Sequence, residues 1–247
     1  MNLLLVEPGE LAPDGRVALA DRRAEHLRRV IGATVGQSVR AGVIGGGIGT
    51  AEVTADDGAT MTLRLVLTAP ASLPLPIELV LAMPRPKVLT RVIETAAAFG
   101  VARIDLTNAW RVDKSYLGSP RLRTEALAFA LRFGAEQGAT TYVPPLAIHD
   151  RFMGLLDARW PARDAGSPAT RLLAHPGAPP IEQATLTWPL AIAIGPEGGW
   201  IQRELDTFLA RGFTAITLGA PILRVEAAVA ALLGQILMVR RLETPPK

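Results

Sequence analysis

The chain contains no cysteine. That absence excludes disulfide staples, a thiolate nucleophile, zinc–thiolate sites and iron–sulfur ligation together. Histidine is almost as scarce. His26, His149 and His175 are the only three and stand far apart, so no metal site is expected. Long apolar runs are missing too: the most apolar stretch, Val225 to Val239, is broken by Glu226 and Gln235 and falls short of the roughly 20 residues that span a bilayer. The opening Met1–Glu7 segment has no basic flank and reaches an acid after a few apolar residues, unlike a signal peptide. A cytoplasmic protein with no membrane partner is therefore expected. Lysine is the last scarcity. Of 26 basic residues only Lys87, Lys114 and Lys247 are lysine, and the other 23 are arginine. Either a GC-rich coding bias, which the many Ala, Gly and Pro residues also fit, or phosphate recognition by the guanidinium fork accounts for this.

What is present describes an ordinary folded chain. Its 247 residues, 49% hydrophobic and 20% charged, make one large domain or two small ones. Residues 1–69 carry short alternating apolar runs at Asn2–Glu7, Gln37–Ile44, Gly49–Thr54 and Thr60–Thr68, with one helical patch at Asp21–Ile31 capped by Asp21. A small β-barrel is expected there. Residues 70–76 are a Pro-rich linker that no central strand would tolerate. From 77 to 247 strands alternate with helices, which predicts an α/β domain with a largely parallel sheet. The strands are expected at Ile77–Met83, Ala102–Thr107, Arg171–Ala174, Leu190–Ile194 and Ala215–Leu218. The helices are expected at Lys87–Phe99, Arg121–Gln137, Arg151–Leu156, Gln202–Arg211 and Val225–Arg241. In the last of them Val225, Val229, Leu232, Ile236 and Val239 mark a buried face.

Gly45-Gly46-Gly47-Ile48-Gly49 lies between two strands and lacks the Lys and Ser/Thr of a phosphate loop, so it reads as a hairpin turn. No Rossmann fingerprint follows any strand. Two other glycine segments carry the chemistry. Gly195-Pro196-Glu197-Gly198-Gly199-Trp200 joins an apolar strand to a helix, and Leu218-Gly219-Ala220-Pro221-Ile222-Leu223-Arg224-Val225-Glu226 does the same one unit later. Ligands of open α/β sheets bind beyond the carboxyl ends of strands, where glycines let the backbone approach them.

This pair of segments resembles the signature of the RsmE-type 16S ribosomal RNA uridine-N3 methyltransferases of the SPOUT superfamily. Similarity extends to His26-Leu27-Arg28-Arg29-Val30 with Val35-Gly36-Gln37, to Ala82-Met83-Pro84-Arg85-Pro86-Lys87 with Gly100-Val101, and to Glu136-Gln137 with Val143-Pro144. The chain departs from the family pattern at Ala98-Phe99, Thr140-Thr141, Val225 and Ala227, while the glycine loops stay intact. The resemblance implies a trefoil-knotted α/β domain, an N-terminal PUA-like β-barrel that binds RNA, a homodimer, S-adenosylmethionine as methyl donor, and ribosomal RNA or the small ribosomal subunit as partner. It puts the cofactor against Leu173, Ala174 and His175, against Gly195, Pro196, Glu197, Gly198 and Gly199, and against Leu218, Gly219, Ile222 and Leu223.

Uridine N3 carries a proton that must leave before N3 can attack a methyl group, which calls for a carboxylate acceptor and a cation near the developing oxygen charge. Glu226 and Arg224 are the expected pair, with Glu197 in reserve. The basic, aromatic stretch Trp110-Arg111-Val112-Asp113-Lys114-Ser115-Tyr116, followed by Arg121 and Arg123, suits either an RNA path or a solvated loop. Arg22, Arg23, Arg28 and Arg29 around His26 form a second patch, suited either to RNA or to ordinary helix-surface charge. Three alternatives stay open: a SPOUT methyltransferase for another RNA position or atom, a non-catalytic RNA-binding protein of ribosome assembly, and an α/β enzyme for a phosphorylated small molecule.

Overall fold

The computed structural model describes residues 1–161 and 169–243, so Lys247 lies outside the described residues. Its chain divides into two compact units, one of Met1–Leu73 with Leu131–Val143 and one of Pro74–Ala130 with Pro144–Lys247.

The first unit is built on one sheet. Strands β1 (Leu4–Val6), β2 (Arg16–Leu19), β3 (Ser38–Val43), β4 (Ile48–Asp56) and β5 (Met61–Ala69) lie in the order β1-β3-β4-β5-β2. Only β1 and β3 pair in parallel. The Gly45–Gly47 segment is the hairpin turn between β3 and β4. Helix α1 (Arg22–His26) is capped as expected, the Asp21 carboxylate accepting from the Arg23 N–H at 2.9 Å, and it continues as a π-helical turn to Ile31. Alternation decides the core. Val17 and Leu19, Ala51 and Val53, and Met61, Leu63 and Leu65 all point inward. Strand β1 is buried on both faces, with Leu4 and Val6 in that core and Leu3 and Leu5 against Ala135. Four residues with two inward apolar positions were too faint a pattern to reveal β2.

Expectation and structure differ at the connector. Strand β6 (Leu75–Ala82) begins inside the proline run. Its pairing shifts between Leu75 and Glu78, so Pro76 sits where the ladder is already irregular and needs no N–H. Ser72, just before, is held by Thr141: each backbone N–H donates to the other's hydroxyl, at 2.9 and 3.0 Å.

The second unit has a parallel six-stranded sheet in the order β11-β9-β10-β6-β7-β8, adding β7 (Val101–Thr107), β8 (Leu146–His149), β9 (Thr170–Ala174), β10 (Leu190–Ile194) and β11 (Phe213–Ile216). Around it run helices α2 (Pro86–Ala98), α3 (Thr124–Gly138, shared between the units), α4 (Phe152–Arg159), α5 (Gln202–Ala210) and α6 (Val225–Glu243). β8 was not expected, since Pro144-Pro145 conceals so short a strand. β11 starts two residues earlier than the expected 215–218, and a 3-10 turn at Pro120–Leu122 delays α3. On α6, Val225, Val229, Leu232 and Ile236 are buried as the spacing required, and the helix packs on α2.

One buried charge needs explanation. Asp105 of β7 is fully buried, and its carboxylate accepts from Arg103 at 2.8 and 3.0 Å and contacts His149 Nε2 at 2.8 Å. Burial pushes this carboxyl up, but the bonds from Arg103 and His149 outweigh burial and the net pKa is lowered. Asp105→Asn should therefore cost roughly 2 kcal/mol at neutral pH, because the buried amide that replaces the carboxylate loses the charge-assisted bonds from Arg103 and His149. Since the folded pKa is depressed, this stability is complete above the unfolded aspartate value near ~4 and is lost as pH falls through the lower folded value. Chemical denaturation of both proteins from about pH 7 to about pH 2 should show the gap closing in acid; a constant gap contradicts the assignment.

Candidate functional site

All six strands of the parallel sheet end on one edge, and three neighbours, β10, β9 and β11, release their chains into loops that enclose a cavity of about 820 Å³. The size is that of a small-molecule site. Backbone bonds knit the loops after β9 and β11 together: His175 N–H donates to Ile216 O at 2.9 Å, Ile181 N–H to Thr217 O at 3.1 Å, and Thr217 N–H to Pro179 O at 2.9 Å.

The residues expected to hold a cofactor come together here with one exception. Ala174, His175, the whole Gly195–Gly199 loop, Leu218, Gly219, Ile222 and Leu223 line the cavity. Leu173 does not: it is fully buried inside β9, flanked in the sheet by Ala193 and Ala215. Two glycines are required by geometry. A Cβ at Gly195 would come within 3.1–3.3 Å of the Trp200 indole, and Gly219 has φ +117°, a left-handed conformation that side chains resist. Trp200 is itself 4% exposed and lines the cavity, and its Nε1–H has no hydrogen-bond partner.

The expected catalytic residues separate. Arg224 lines the cavity and is exposed, whereas Glu226 stands in the first turn of α6, partly exposed and off the cavity wall. The α6 N-terminus favours a negative charge at that place. Glu197 is engaged elsewhere. Its Oε1 accepts from the Arg85 backbone N–H at 3.2 Å, and the Arg85 guanidinium lies 3.8 Å away, so the β10 loop is fastened to the loop after β6.

A second fastening was not foreseen. Glu204 of α5 is 6% exposed, with Oε1 accepting from the Trp110 backbone N–H at 2.8 Å and Oε2 from the Ile201 N–H at 3.0 Å. Arg111, the next residue, donates from Nη1 to Gly198 O at 2.5 Å and lays its methylenes against Gly198. The loop after β7 is thereby tied to the β10 loop. A carboxylate three residues past a helix start, as in Glu204 after Ile201, is the signal that could have exposed it.

Among the residues expected to meet RNA, those of the second unit stay exposed. Lys114 and Arg123 are at the surface, and the Arg121 guanidinium donates to Thr90 Oγ1 at 2.9 Å. Those of the first unit are largely engaged in ion pairs, which the sequence reading did not anticipate. Arg23 is 9% exposed, and its guanidinium is shared among Glu10, Asp21 and the Leu5 carbonyl, which raises its pKa and leaves nothing for a phosphate. Arg22 forks onto Glu136 at 2.7 and 3.0 Å, and Arg28 onto Asp56 at 2.7 and 3.0 Å. His26 contacts the N-terminal ammonium at 3.3 Å; burial, then that charge, lowers its pKa. Arg29, 78% exposed, pairs with Glu25 one turn away. Among the described residues no group of His, Asp or Glu could hold a metal ion, and no helix is long and apolar enough to cross a membrane.

Comparison with known proteins agrees with this arrangement. A family model described as an RNA methyltransferase domain matches residues 71–237. Ribosomal RNA small subunit methyltransferase E of Treponema pallidum is 28% identical over 94% of this chain and 88% of its own length. Its counterpart in Synechocystis is 26% identical over 94% and 76%. The fold is shared with ribosomal RNA small subunit methyltransferase E of Neisseria gonorrhoeae bound to S-adenosyl methionine, at 22% identity and a TM-score of 0.77, covering 97% of this chain and 98% of that one. A putative methyltransferase of Legionella pneumophila in complex with the same cofactor shares it with a TM-score of 0.74 at 22% identity, covering 96% and 97%. The RsmE-type resemblance is thus borne out, and the chain belongs to the RNA methyltransferase domain family.

Proposed function

We propose that the chain methylates N3 of a uridine in 16S ribosomal RNA of the small subunit, with S-adenosylmethionine as donor. The observation that carries this reading is the cavity at the ends of β9, β10 and β11, lined by both glycine segments of the family signature. Its residues fit the cofactor. Gly195 leaves open the space a Cβ would fill beside Trp200, and the apolar side chains of Ile194, Ile216 and Val225 suit an adenosine ring and methionine stem. When bound, the cofactor supplies a sulfonium methyl. The protein's part is to align the acceptor, exclude water and move the N3 proton. Glu226, next in sequence to the cavity-lining Val225, takes that proton, and Arg224 offsets the charge developing on the uracil oxygens. Glu197, held by Arg85, keeps the loop in place.

The architectural expectations belong to the same proposal. A late strand, β10, lies between β6 and β9, and bonds join the loops after β9 and β11, as a trefoil-knotted chain would require. The sheet of the first unit is the basis for a PUA-like barrel. Together with the family resemblance, the long amphipathic α6 next to the cavity supports a homodimer that works in the cytoplasm. Exposed Arg111, Lys114, Arg121 and Arg123 supply phosphate contacts, and Arg29 is the first unit's most exposed candidate.

Calorimetry should detect S-adenosylmethionine binding without added metal. Gly219→Val should abolish it, since valine resists φ +117°, while Gly198→Ala should weaken it less because only the flexible Arg111 stem must yield. Unaltered affinity in Gly219→Val would remove that loop from the site.

Mechanism is tested by single-turnover methylation of ribosomal RNA. Glu226→Gln should lose about 100-fold to 10,000-fold in rate while cofactor and RNA affinities hold, the range a general base contributes, with partial recovery as pH rises and uridine ionises unaided. Arg224→Ala should lose rate without comparable recovery, because charge stabilisation is what it lacks. A full rate for Glu226→Gln at neutral pH assigns the proton to another acceptor.

A further inference from the structure

Trp110 is the anomaly of the second unit. It is 79% exposed, although indole is a side chain that folding ordinarily covers. Its exposure is not slackness of the loop. The backbone on one side is held by the buried Glu204 carboxylate, through the Trp110 N–H at 2.8 Å, and on the other by Arg111, whose guanidinium reaches Gly198 O. One fastening runs to α5, which follows the β10 loop, and the other to Gly198 in that loop, part of the cavity wall, so the structure fixes a bare ring next to the loop rather than leaving it to collapse onto the sheet.

Its surroundings define what the ring would meet. Arg85, Arg111 and Lys114 are exposed cations on the same and the neighbouring loop, which suits a polyanion and disfavours an apolar protein surface. Cations for the backbone with a ring for the base is the chemistry of single-stranded RNA binding.

We infer that Trp110 is a stacking platform for an unpaired base of the RNA, held beside the β10 loop by Glu204 and Arg111. This rests on the proposed methyl transfer to ribosomal RNA and adds the residue that receives a base there. An aromatic face accepts any base, so the platform contributes affinity and orientation while selection of the nucleotide falls to other groups.

The test is single-turnover methylation as a function of RNA concentration, with protein-free 16S ribosomal RNA and with assembled small subunits. Trp110→Ala should raise the RNA concentration for half-maximal rate about 5-fold to 150-fold, the span of one base–aromatic stack. Trp110→Phe should restore most of the affinity and Trp110→Leu should not, while calorimetric affinity for S-adenosylmethionine stays constant in all three. Independently of activity, ribosomal RNA should quench part of the tryptophan emission, and that part should vanish in Trp110→Phe. Unchanged RNA dependence in Trp110→Ala, or a phenylalanine variant as poor as alanine, overturns the proposal. So does a variant that alters self-association in sedimentation with RNA affinity intact, which makes the ring a protein contact. If the unaltered protein transfers no methyl group, the proposed reaction fails, and the quenching measurement still decides whether Trp110 stacks on RNA.

Discussion

The burial of β10 on both faces and both edges is the constraint on which the site depends. Leu190, Ala191, Ile192, Ala193 and Ile194 are all buried, and the strand pairs with β6 on one side and β9 on the other. Such a strand has no freedom to slip, because a shift of one residue would exchange its large and small side chains between the two faces. The first residue released is therefore Gly195, always at the same height above the sheet. Trp200 closes the loop from behind through Phe208, whose ring meets Trp200 edge-on at 5.0 Å and Phe213 at 4.8 Å. A glycine loop is locally permissive, yet this one is anchored at its start by ladder bonds and at its end by an aromatic cluster.

Side loops then fasten what the sheet presents. Glu197 holds the loop after β6, and Glu204 and Arg111 hold the loop after β7. Two acids that a sequence reader would assign to catalysis or to a helix surface are spent on backbone amides. Both Glu197 and Arg224 line the cavity, but Glu197 is engaged with the Arg85 backbone.

Legibility followed the range of the interactions. Strand β10, the α6 face and the two glycine loops are local patterns, a continuous apolar run, a 3.6-residue period and a strand–glycine–helix order, and each was readable from the residues alone. Leu173 was misplaced by one residue of alternation, since a strand end was legible but not which of its faces meets the cavity. The ion pairs of the first unit's arginines were the larger omission. Arg22 pairs with Glu136 and Arg28 with Asp56, so partners lie 114 and 28 residues away, and no window along the chain distinguishes a paired guanidinium from a free one. Pro76 inside β6 was unreadable for a related reason, because its tolerance comes from a register irregularity against β7.

Arginine richness, ambiguous in the composition, divides once the partners are known. Arg23, Arg103 and Arg211 are turned inward, where a planar fork satisfies several acceptors at once: Arg211 alone reaches the Leu156 and Trp160 carbonyls and the Asp157 carboxylate. Lysine, a point charge with three donors on a flexible stem, would leave acceptors unmet at such places. Arg85, Arg111, Arg121 and Arg123 are exposed, the first two on loops fastened to the cavity-lining Glu197 and Gly198, and there the same fork suits phosphate oxygens. Coding bias is enough to explain the number of arginines but says nothing of where they point. Their separation into buried clamps and a rim beside the cofactor loops is a property of the fold, and the rim is where a polyanionic substrate must arrive.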